Sequence, residues 1–414
     1  MRSLTVAALL LAGVAAAAPL KLAVVYGHNG GTATRPALRF AENDAVRVAA
    51  TLVELAGVKP SDLKLLKGGT KEDFEAAMNW AAARVAASKT QTLLYVYLSA
   101  HGDDGRGLEL GPQTLAWADL KAKLSATKAD VRVAFIDACN ASGMLEAGGR
   151  ASDAFEIRAD DRLTVAGEAV ITSSAENEPS LEAGAYRGSV FTHHLIAALR
   201  GAADRSTDSR ISLEELYRYA YARTVEGDSG QHPGYGFKLA GHGELFVSSI
   251  KGAPAIVLPR GTDAVGISAG GELFLEVRQP DARTIALPPG KWDLEIWRNG
   301  KARVGAVTLK AGQTLAVDDA GFMPATAKLV RLSASPHYCV TAISSEPALK
   351  ERAARLLAEI TTQEAHACFE GATTATLTLT RSVLTGSLGN KRIEVRADEK
   401  DLATAAGKAL AEAL

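Results

Sequence analysis

Two apolar runs of the chain end in residues whose side chains can take part in catalysis. The run LLYVYLSA (residues 93–100) leads directly to His101 and Gly102, and the run VRVAFIDA (residues 131–138) leads to Cys139. Such runs are typical of strands that are buried on both faces of a parallel sheet. The carboxyl ends of parallel strands lie along one edge of the sheet, where ligands bind. The sequence therefore predicts that the imidazole of His101 lies beside the thiol of Cys139, as a general base lies beside a cysteine nucleophile.

Strand-like and helix-like segments alternate along the first part of the chain. Apolar runs predict further strands at residues 21–27, 62–68 and 169–174. Apolar residues recur at helical spacing in the segments 41–57 and 71–87. Shorter helices are predicted near residues 116–124, 191–199 and 212–224. This alternation indicates an α/β domain with a mostly parallel sheet flanked by helices.

The motifs at the strand ends resemble those of the caspase-like cysteine peptidases, the superfamily of caspases, metacaspases and their bacterial relatives. In that family a His-Gly pair ends one strand and an Asp-x-Cys element ends the next, here His101-Gly102 and Asp137-Ala138-Cys139. The segment AENDAVRVAATLVELAG (residues 41–57) is similar to the first helix of the family, and residues 171–201 are similar to a later strand, loop and helix. The resemblance covers about residues 20–250 and implies a caspase-like fold.

The resemblance also implies a cysteine endopeptidase that cleaves a protein or peptide substrate. His101 and Cys139 would form the catalytic dyad, and the backbone N–H groups of Gly102 and Cys139 would bind the developing oxyanion. A helix expected to start after Cys139 would add its N-terminal dipole. The alternative is a catalytically inactive member that serves as a scaffold or binding protein of the cell envelope. The presence of both dyad residues favours the enzyme.

Asp137 is the residue that would set the substrate specificity. It lies two residues before Cys139 on one strand, so both side chains project to the same side. A buried carboxylate is costly unless it meets a cation, and a substrate Arg or Lys before the scissile bond, which metacaspases prefer, would supply one. Alternatively, Asp137 caps a neighbouring loop by accepting hydrogen bonds from backbone N–H groups. Glu178 and Glu182 are weaker candidates for the rim of this pocket.

The N-terminus has the composition of a secretory signal. Arg2 precedes the apolar stretch LTVAALLLAGVAAAA, which is short for a bilayer span. We therefore expect a signal peptide over residues 1–18, a periplasmic or secreted protein, and no membrane span after the signal is removed. The formal net charge of −1 argues against nucleic acid as a partner.

The chain has three cysteines, Cys139, Cys339 and Cys368. An odd number in an exported protein leaves one thiol unpaired. A disulfide between Cys339 and Cys368 would leave Cys139 free and would stabilise the fold by roughly 3–4 kcal/mol. Two alternatives stay open for this pair: separate buried thiols, or a zinc site that His337 and His366 complete.

The pattern changes after the predicted peptidase domain, which we assign to residues 19–250. Polar and apolar residues then alternate, and Asn299-Gly300 between two such runs is typical of a two-residue hairpin turn. The pattern predicts a small β-sandwich over residues 251–325, and the segment from Pro254 to Pro259 is a predicted hinge. Residues 326–414 predict an α+β module with helices near 347–360 and 399–413. These C-terminal modules would bind an envelope component or another protein.

One segment of the peptidase domain, ADRSTDSRISLEEL, is similar in spacing to a calcium-binding EF-hand loop. The residues at ligand positions are Asp204, Ser206, Asp208, Ser212 and Glu215. The position that favours glycine is instead Ser209. The favoured alternative is a helix start at which Ser212 and Glu215 form a capping box. The dyad chemistry requires no cofactor and no metal, and calcium is the candidate ion for this segment.

Overall fold

The computed structural model describes residues 18–31, 37–103, 106–145, 165–175, 178–227, 230–241 and 244–324, together with short segments between residues 338 and 396. The predicted signal peptide, apart from its last residue, lies outside the described residues. The same holds for Cys368, His337 and His366, and for almost all of the two predicted C-terminal helices.

The described residues between 18 and 250 form a layered α/β unit. Its strands are β1 (Leu20–Gly27), β2 (Leu63–Lys67), β3 (Thr92–Ser99), β4 (Gly102–Asp103), β5 (Gly107–Leu110), β6 (Gln113–Ala116), β7 (Val131–Asp137), β8 (Val165–Thr172), β9 (Glu182–Ala183), β10 (Gly188–Ser189), β11 (Arg210–Ser212), β12 (Gly234–Gly241) and β13 (Phe246–Ser249). Its helices are α1 (Ala41–Leu55), α2 (Lys71–Ala87), α3 (Trp117–Ala126), α4 (Val190–Ala197) and α5 (Leu213–Gly227).

A six-stranded sheet forms the centre of this unit. The strand order is β12-β8-β7-β3-β1-β2, and every pair is parallel except β12 with β8. The predicted mostly parallel sheet flanked by helices is confirmed. The structure adds β12, an antiparallel edge strand that the sequence analysis did not predict.

The helices cover both faces of the sheet because each carries an apolar stripe. In α1 the buried residues include Ala45, Val48 and Leu52, which recur at the spacing of one helical face. Helix α2 begins at a capping box, in which Thr70 and Asp73 each accept a hydrogen bond from the other's backbone N–H group. The burial of alternate strand residues on opposite faces gives each face its own apolar cluster.

Residues 251–324, which we call the β-module, are built from strands alone. The strands are β14 (Ala255–Val257), β15 (Ala264–Ala269), β16 (Glu272–Arg278), β17 (Thr284–Ala286), β18 (Gly290–Arg298), β19 (Lys301–Leu309), β20 (Thr314–Ala316) and β21 (Met323–Pro324). They form a three-stranded sheet, β17-β14-β20, and a five-stranded sheet, β16-β15-β18-β19-β21. Asn299 and Gly300 join β18 to β19 with φ angles of 50° and 72°, as the predicted hairpin turn requires.

The predicted hinge from Pro254 to Pro259 is wrong. Strand β14 lies between the two prolines and pairs with β17 on one side and β20 on the other. Its residues Ala255 and Ile256 are 1% and 0% exposed. A segment that is fixed in the centre of a sheet cannot serve as a hinge.

The described part of the C-terminal segment consists of short strands. They are β22 (Tyr338–Cys339), β23 (Ile343–Ser345), β24 (Thr373–Thr380), β25 (Val383–Leu388) and β26 (Lys391–Arg396), which form one further sheet. Within the described residues, no helix is long and apolar enough to cross a membrane.

Candidate active site

The two predicted strand ends lie side by side at the carboxyl edge of the sheet. Strands β3 and β7 are neighbours in parallel register, with Ser99 opposite Asp137. Beyond this pair, the backbone N–H of Ala100 donates a hydrogen bond to the carbonyl oxygen of Asp137, at 3.3 Å. The turn that carries His101 and the turn that carries Cys139 therefore leave the sheet next to each other.

Gly102 is in direct contact with the backbone of Cys139. A Cβ atom added to Gly102 would lie 2.0 Å from the carbonyl oxygen and 3.4 Å from the backbone nitrogen of Cys139. No side chain fits in that space, so only glycine allows the two turns to approach this closely. His101 precedes this contact and is half-buried.

The turn at Cys139 differs in one respect from the prediction. Asn140 adopts the left-handed conformation with φ of 54°, and Ala141–Met144 form a single 3-10 turn. The described residues 140–145 therefore form no α-helix, and the 3-10 turn contributes little dipole because four residues align few peptide units. Instead, the backbone N–H of Ser180 donates a hydrogen bond to Cys139 Sγ, at 3.3 Å.

Asp137 lies buried behind Cys139, with 4% of its surface exposed. Its Oδ1 atom accepts a hydrogen bond from the Ser180 hydroxyl at 2.6 Å, and its Oδ2 atom accepts one from the Thr192 hydroxyl at 2.5 Å. Both donors are neutral side chains, whereas the capping alternative required backbone N–H groups. Each carboxylate oxygen can accept a further hydrogen bond, so the group retains capacity for another donor.

Two further carboxylates lie near Asp137. Asp44 in α1 is fully buried and accepts a hydrogen bond from the backbone N–H of Ser189, at 2.6 Å. Glu182 accepts hydrogen bonds from the backbone N–H groups of Arg39 and Phe40, at 2.9 and 2.8 Å. Burial raises the pKa of Asp44 and of Glu182, and the charge of Asp137 raises both further. The site therefore holds a cluster of three carboxylates, Asp44, Asp137 and Glu182.

Asp44 was not among the site residues predicted from the sequence, although its place on the apolar face of a predicted helix was a signal. Asp44 follows Ala41 by three residues and precedes Val48 by four, so it lies on the apolar face of α1. A carboxylate on a buried helix face is costly without a specific role. Its position in the first helical turn gave it an ordinary explanation, because acidic residues stabilise helix N-termini.

Glu178 contributes to the wall of the site rather than to the carboxylate cluster. Its backbone carbonyl accepts a hydrogen bond from Asn140 N at 3.2 Å, beside Cys139. Its side chain accepts from the backbone N–H of His232 at 2.7 Å and contacts His232 Nδ1 at 2.7 Å. These contacts attach the loop after β8 to the segment that precedes β12.

Hydrogen bonds within the EF-hand-like segment occupy its carboxylates, and the favoured capping box is present. Ser212 and Glu215 form the capping box, with Glu215 N donating to Ser212 Oγ at 3.2 Å and Ser212 N donating to Glu215 Oε2 at 3.1 Å. The carboxylate of Asp204 accepts from the backbone N–H groups of Asp208 and Ser209. Among the described residues, no group of three or more His, Cys, Asp or Glu side chains is arranged to hold a metal ion.

The fold and the adjacent strand ends are typical of one class of protein. A comparison with family models identifies a class without using this geometry. The family model of the caspase domain matches residues 20–239, which is more than half of the chain. The chain therefore belongs to the caspase domain family, whose name and peptidase designation support a protein substrate.

Two of the solved structures that match the chain cover about half of it. A protein from Geobacter sulfurreducens is 16% identical, covers 52% of this chain and 92% of its own, and has a TM-score of 0.36. Caspase-1 from Spodoptera frugiperda is 18% identical, covers 52% of this chain and 88% of its own, and has a TM-score of 0.38. No curated protein matches the sequence.

Proposed function

We propose that the protein is an exported cysteine endopeptidase in which Cys139 is the nucleophile and His101 is the general base. The observation that carries the proposal is the contact between Gly102 and the backbone of Cys139, because it holds the two motif-bearing turns together. Membership of the caspase domain family supports the same reaction class.

The reaction then proceeds as an acyl transfer. His101 takes the proton from the Cys139 thiol, and the thiolate attacks the carbonyl carbon of the scissile peptide bond. The N–H groups of Gly102 and Cys139 stabilise the oxyanion of the tetrahedral intermediate, and loss of such a donor typically costs about 3–4 kcal/mol. The protonated His101 gives its proton to the leaving amine, and a water molecule hydrolyses the thioester with His101 again as the base.

We further propose that the enzyme cleaves after Arg or Lys. The charge of Asp137 lies close enough to Asp44 and Glu182 to raise the pKa of both, and the hydrogen-bond donors to Asp137 are neutral. A buried group of like charges is destabilising, and a substrate cation relieves the repulsion. A guanidinium or ammonium group beside Cys139 would therefore be bound more tightly than a neutral or acidic side chain.

The proposed location is the periplasm or the exterior of the cell. Arg2 and the apolar residues that follow it support a secretory signal. An oxidising compartment would also favour a disulfide between Cys339 and Cys368. Sequencing the N-terminus of the mature protein and mass spectrometry under non-reducing conditions test these two points, and an uncleaved N-terminus with free thiols would refute them.

The decisive experiment is covalent labelling of the full chain with an arginyl chloromethyl ketone, followed by peptide mapping. We expect Cys139 to be modified in the wild-type protein and to stay unmodified in His101→Ala. An acidic reagent, an aspartyl chloromethyl ketone, serves as the specificity control and should label Cys139 far more slowly. A folded protein whose Cys139 reacts with neither reagent would support the alternative, a catalytically inactive scaffold.

A further inference from the structure

The edge strand of the β-module contacts the part of the peptidase domain that surrounds the carboxylate cluster. Strand β16 lies at the end of its five-stranded sheet, and alternate residues along it make the contacts. Glu272 forms an ion pair with Arg187 on the exposed rim. Further along, the Phe274 carbonyl accepts a hydrogen bond from Arg47, and Glu276 N donates one to His193 Nε2 at 3.1 Å.

Arg47 connects this strand to the candidate site. Its Nη2 atom donates a hydrogen bond to the Phe274 carbonyl at 3.0 Å. Its Nη1 atom lies 3.4 Å from Asp44 Oδ1 and 3.5 Å from the carbonyl oxygen of Tyr186. One planar guanidinium therefore bridges helix α1, the turn between β9 and β10, and the β-module.

The β9–β10 hairpin packs directly against the side chains of Asp44 and Arg47. A Cβ atom on Gly188 would lie 2.4 Å from Asp44 Oδ1 and 2.9 Å from Arg47 Nη1. The next residue, Ser189, donates its backbone N–H to Asp44 Oδ2. The side chain of Arg47 is 17% exposed and that of Asp44 is 1% exposed. The position of the hairpin is thus tied to the position of the Asp44–Arg47 pair.

We propose that Arg47 is a positioning residue, through which strand β16 of the β-module holds Asp44 and the β9–β10 hairpin in the geometry that binds a basic substrate side chain. The proposal rests on the Arg or Lys specificity proposed above. It makes the β-module a structural part of the specificity pocket, in addition to any external partner that the module binds. Arg47 acts through Asp44, because its guanidinium is already engaged by Asp44 and by two carbonyl groups.

The charged groups around Asp44 and Arg47 determine how removal of the Arg47 charge changes the pH dependence of substrate binding. Tyr97 on β3, Asp137 on β7 and Glu182 on β9 face Asp44. His193 on α4 and Arg200, in the helical turn that follows α4, face Arg47. Burial raises the pKa of Asp44, and Arg47 opposes that rise. Without Arg47 the carboxyl group would hold its proton to a higher pH, and neutral Asp44 would attract a substrate cation less.

The test compares Arg47→Lys and Arg47→Met with the wild-type full chain. Lysine keeps the charge but presents a single nitrogen, which cannot bridge Asp44 and the Phe274 carbonyl as the guanidinium does. Arg218→Met is the matched control, because Arg218 pairs with Glu214 on the exposed surface of α5. The measurements are kcat and KM for an arginyl peptide as a function of pH, and the rate at which neutral iodoacetamide alkylates Cys139.

We expect both Arg47 variants to raise KM by about tenfold or more, since truncating a buried pair is costly, with kcat changed less. In Arg47→Met the acidic limb of kcat/KM should also move to higher pH. The alkylation rate should stay at the wild-type value in both variants, as should all parameters of Arg218→Met. An unchanged KM would overturn the proposal. So would an alkylation rate that falls by the same factor by which KM rises.

A second measurement separates this proposal from the proposed specificity. Hydrogen exchange at the Ser189 amide reports on its hydrogen bond to Asp44 without any substrate. We expect exchange there to accelerate in Arg47→Met, whether or not the wild type cleaves arginyl peptides. Faster exchange with no arginyl cleavage would refute the specificity and retain the positioning role. Unchanged exchange would refute the positioning role.

Discussion

At the scale of single residues, Gly102 is constrained by a contact that its sequence motif does not reveal. The resemblance implies a role for its backbone N–H in binding the oxyanion, and any residue except proline has such a group. In the structure, the more demanding constraint is the neighbouring backbone, because a Cβ atom would lie 2.0 Å from the Cys139 carbonyl oxygen. Distances of this kind depend on two turns that are separated in sequence, so no local pattern contains them.

The first prediction concerns Gly102→Ala. The added methyl group must displace the Cys139 turn, and overpacking of this kind typically costs about 1–3 kcal/mol. We expect a lower free energy of unfolding in urea and a loss of Cys139 labelling by the arginyl reagent. Gly184→Ala is the control, because nothing lies within 4 Å of a Cβ atom there. Wild-type stability and labelling in Gly102→Ala would contradict the contact.

The second prediction concerns the charge of Asp137. Asp137→Asn keeps the shape of the side chain and can still accept a hydrogen bond from Ser180 or Thr192, but it removes the negative charge. We expect kcat/KM for arginyl and lysyl peptides to fall by on the order of a hundredfold, since a buried charge pair is typically worth about 2–5 kcal/mol. Steady-state kinetics measure this change.

A neutral reagent provides the control for the Asp137→Asn variant. The alkylation of Cys139 by iodoacetamide does not require the substrate pocket, so its rate should change little. Asp119→Asn on the exposed part of α3 should leave both measurements at the wild-type value. Unchanged arginyl kinetics in a folded Asp137→Asn variant would remove Asp137 from the proposed pocket.

At the scale of elements, the sequence predicted the strands that carry the site most accurately. Strands β3 and β7 were predicted within one residue of their ends, because a continuous apolar run has no other stable position than the interior. Directly after Cys139, where a helix was expected, the described residues form only the 3-10 turn Ala141–Met144. Asn140 takes a left-handed conformation there, and asparagine tolerates that conformation without requiring it.

Errors elsewhere at this scale have a common physical cause. The hinge before the β-module was predicted from two prolines, but the three residues of β14 are held by strands that lie far along the chain. Strand β12 was missed because its sequence, GYGFKLAG, combines glycine with a half-exposed pattern. In both cases the pairing partner, rather than local propensity, determines the structure.

The third prediction concerns helix α4, where two buried histidines are adjacent. Burial, together with the smaller effect of the charges of Arg278 and Arg223, lowers the pKa of His194 from 6.5 to about 3. The unfolded chain therefore binds a proton below about pH 6.5 that the folded chain does not bind. The contribution of neutral His194 to the free energy of unfolding is fully present above about pH 6.5. It is lost as the pH falls below that value, by up to about 1.4 kcal/mol per pH unit.

Substitution His194→Phe isolates this contribution. Phenylalanine keeps the edge-to-face contacts with Tyr186 and Tyr219 but has no titrating group. We expect the free energy of unfolding of the wild type to fall relative to that of the variant as the pH drops below about 6.5. Urea unfolding at several pH values measures the difference, and a difference independent of pH would refute the buried neutral histidine.

At the scale of the whole molecule, the core continues across the end of the predicted peptidase domain. One apolar cluster includes Val48 and Phe191 of the α/β unit together with Ile256, Val265 and Trp292 of the β-module. The alternating pattern after residue 250 correctly predicted strands and a hairpin. It could not predict what covers those strands, because covering residues such as Val48 lie about 200 positions earlier in the chain.

The fourth prediction concerns a chain that ends at Ile250. In the full chain, Leu55 and Ile250 pack against Ala286 of the β-module, and Arg200 donates a hydrogen bond to the Ala286 carbonyl at 3.2 Å. Removal of the β-module would expose these groups to water. Since exposing one large apolar side chain costs about 1.5–3 kcal/mol, we expect the free energy of unfolding to fall by more than about 2 kcal/mol.

Urea unfolding of the chain ending at Ile250, compared with the full chain, measures this loss. Binding of a hydrophobic dye to the shortened chain should increase, because the apolar cluster loses its cover. The Arg47 bridge should fail at the same time, since it includes the Phe274 carbonyl. Exchange at the Ser189 amide should then accelerate in the shortened chain as it does in Arg47→Met. A shortened chain with the stability and the Ser189 exchange of the full chain would mean that the α/β unit holds its pocket without the β-module.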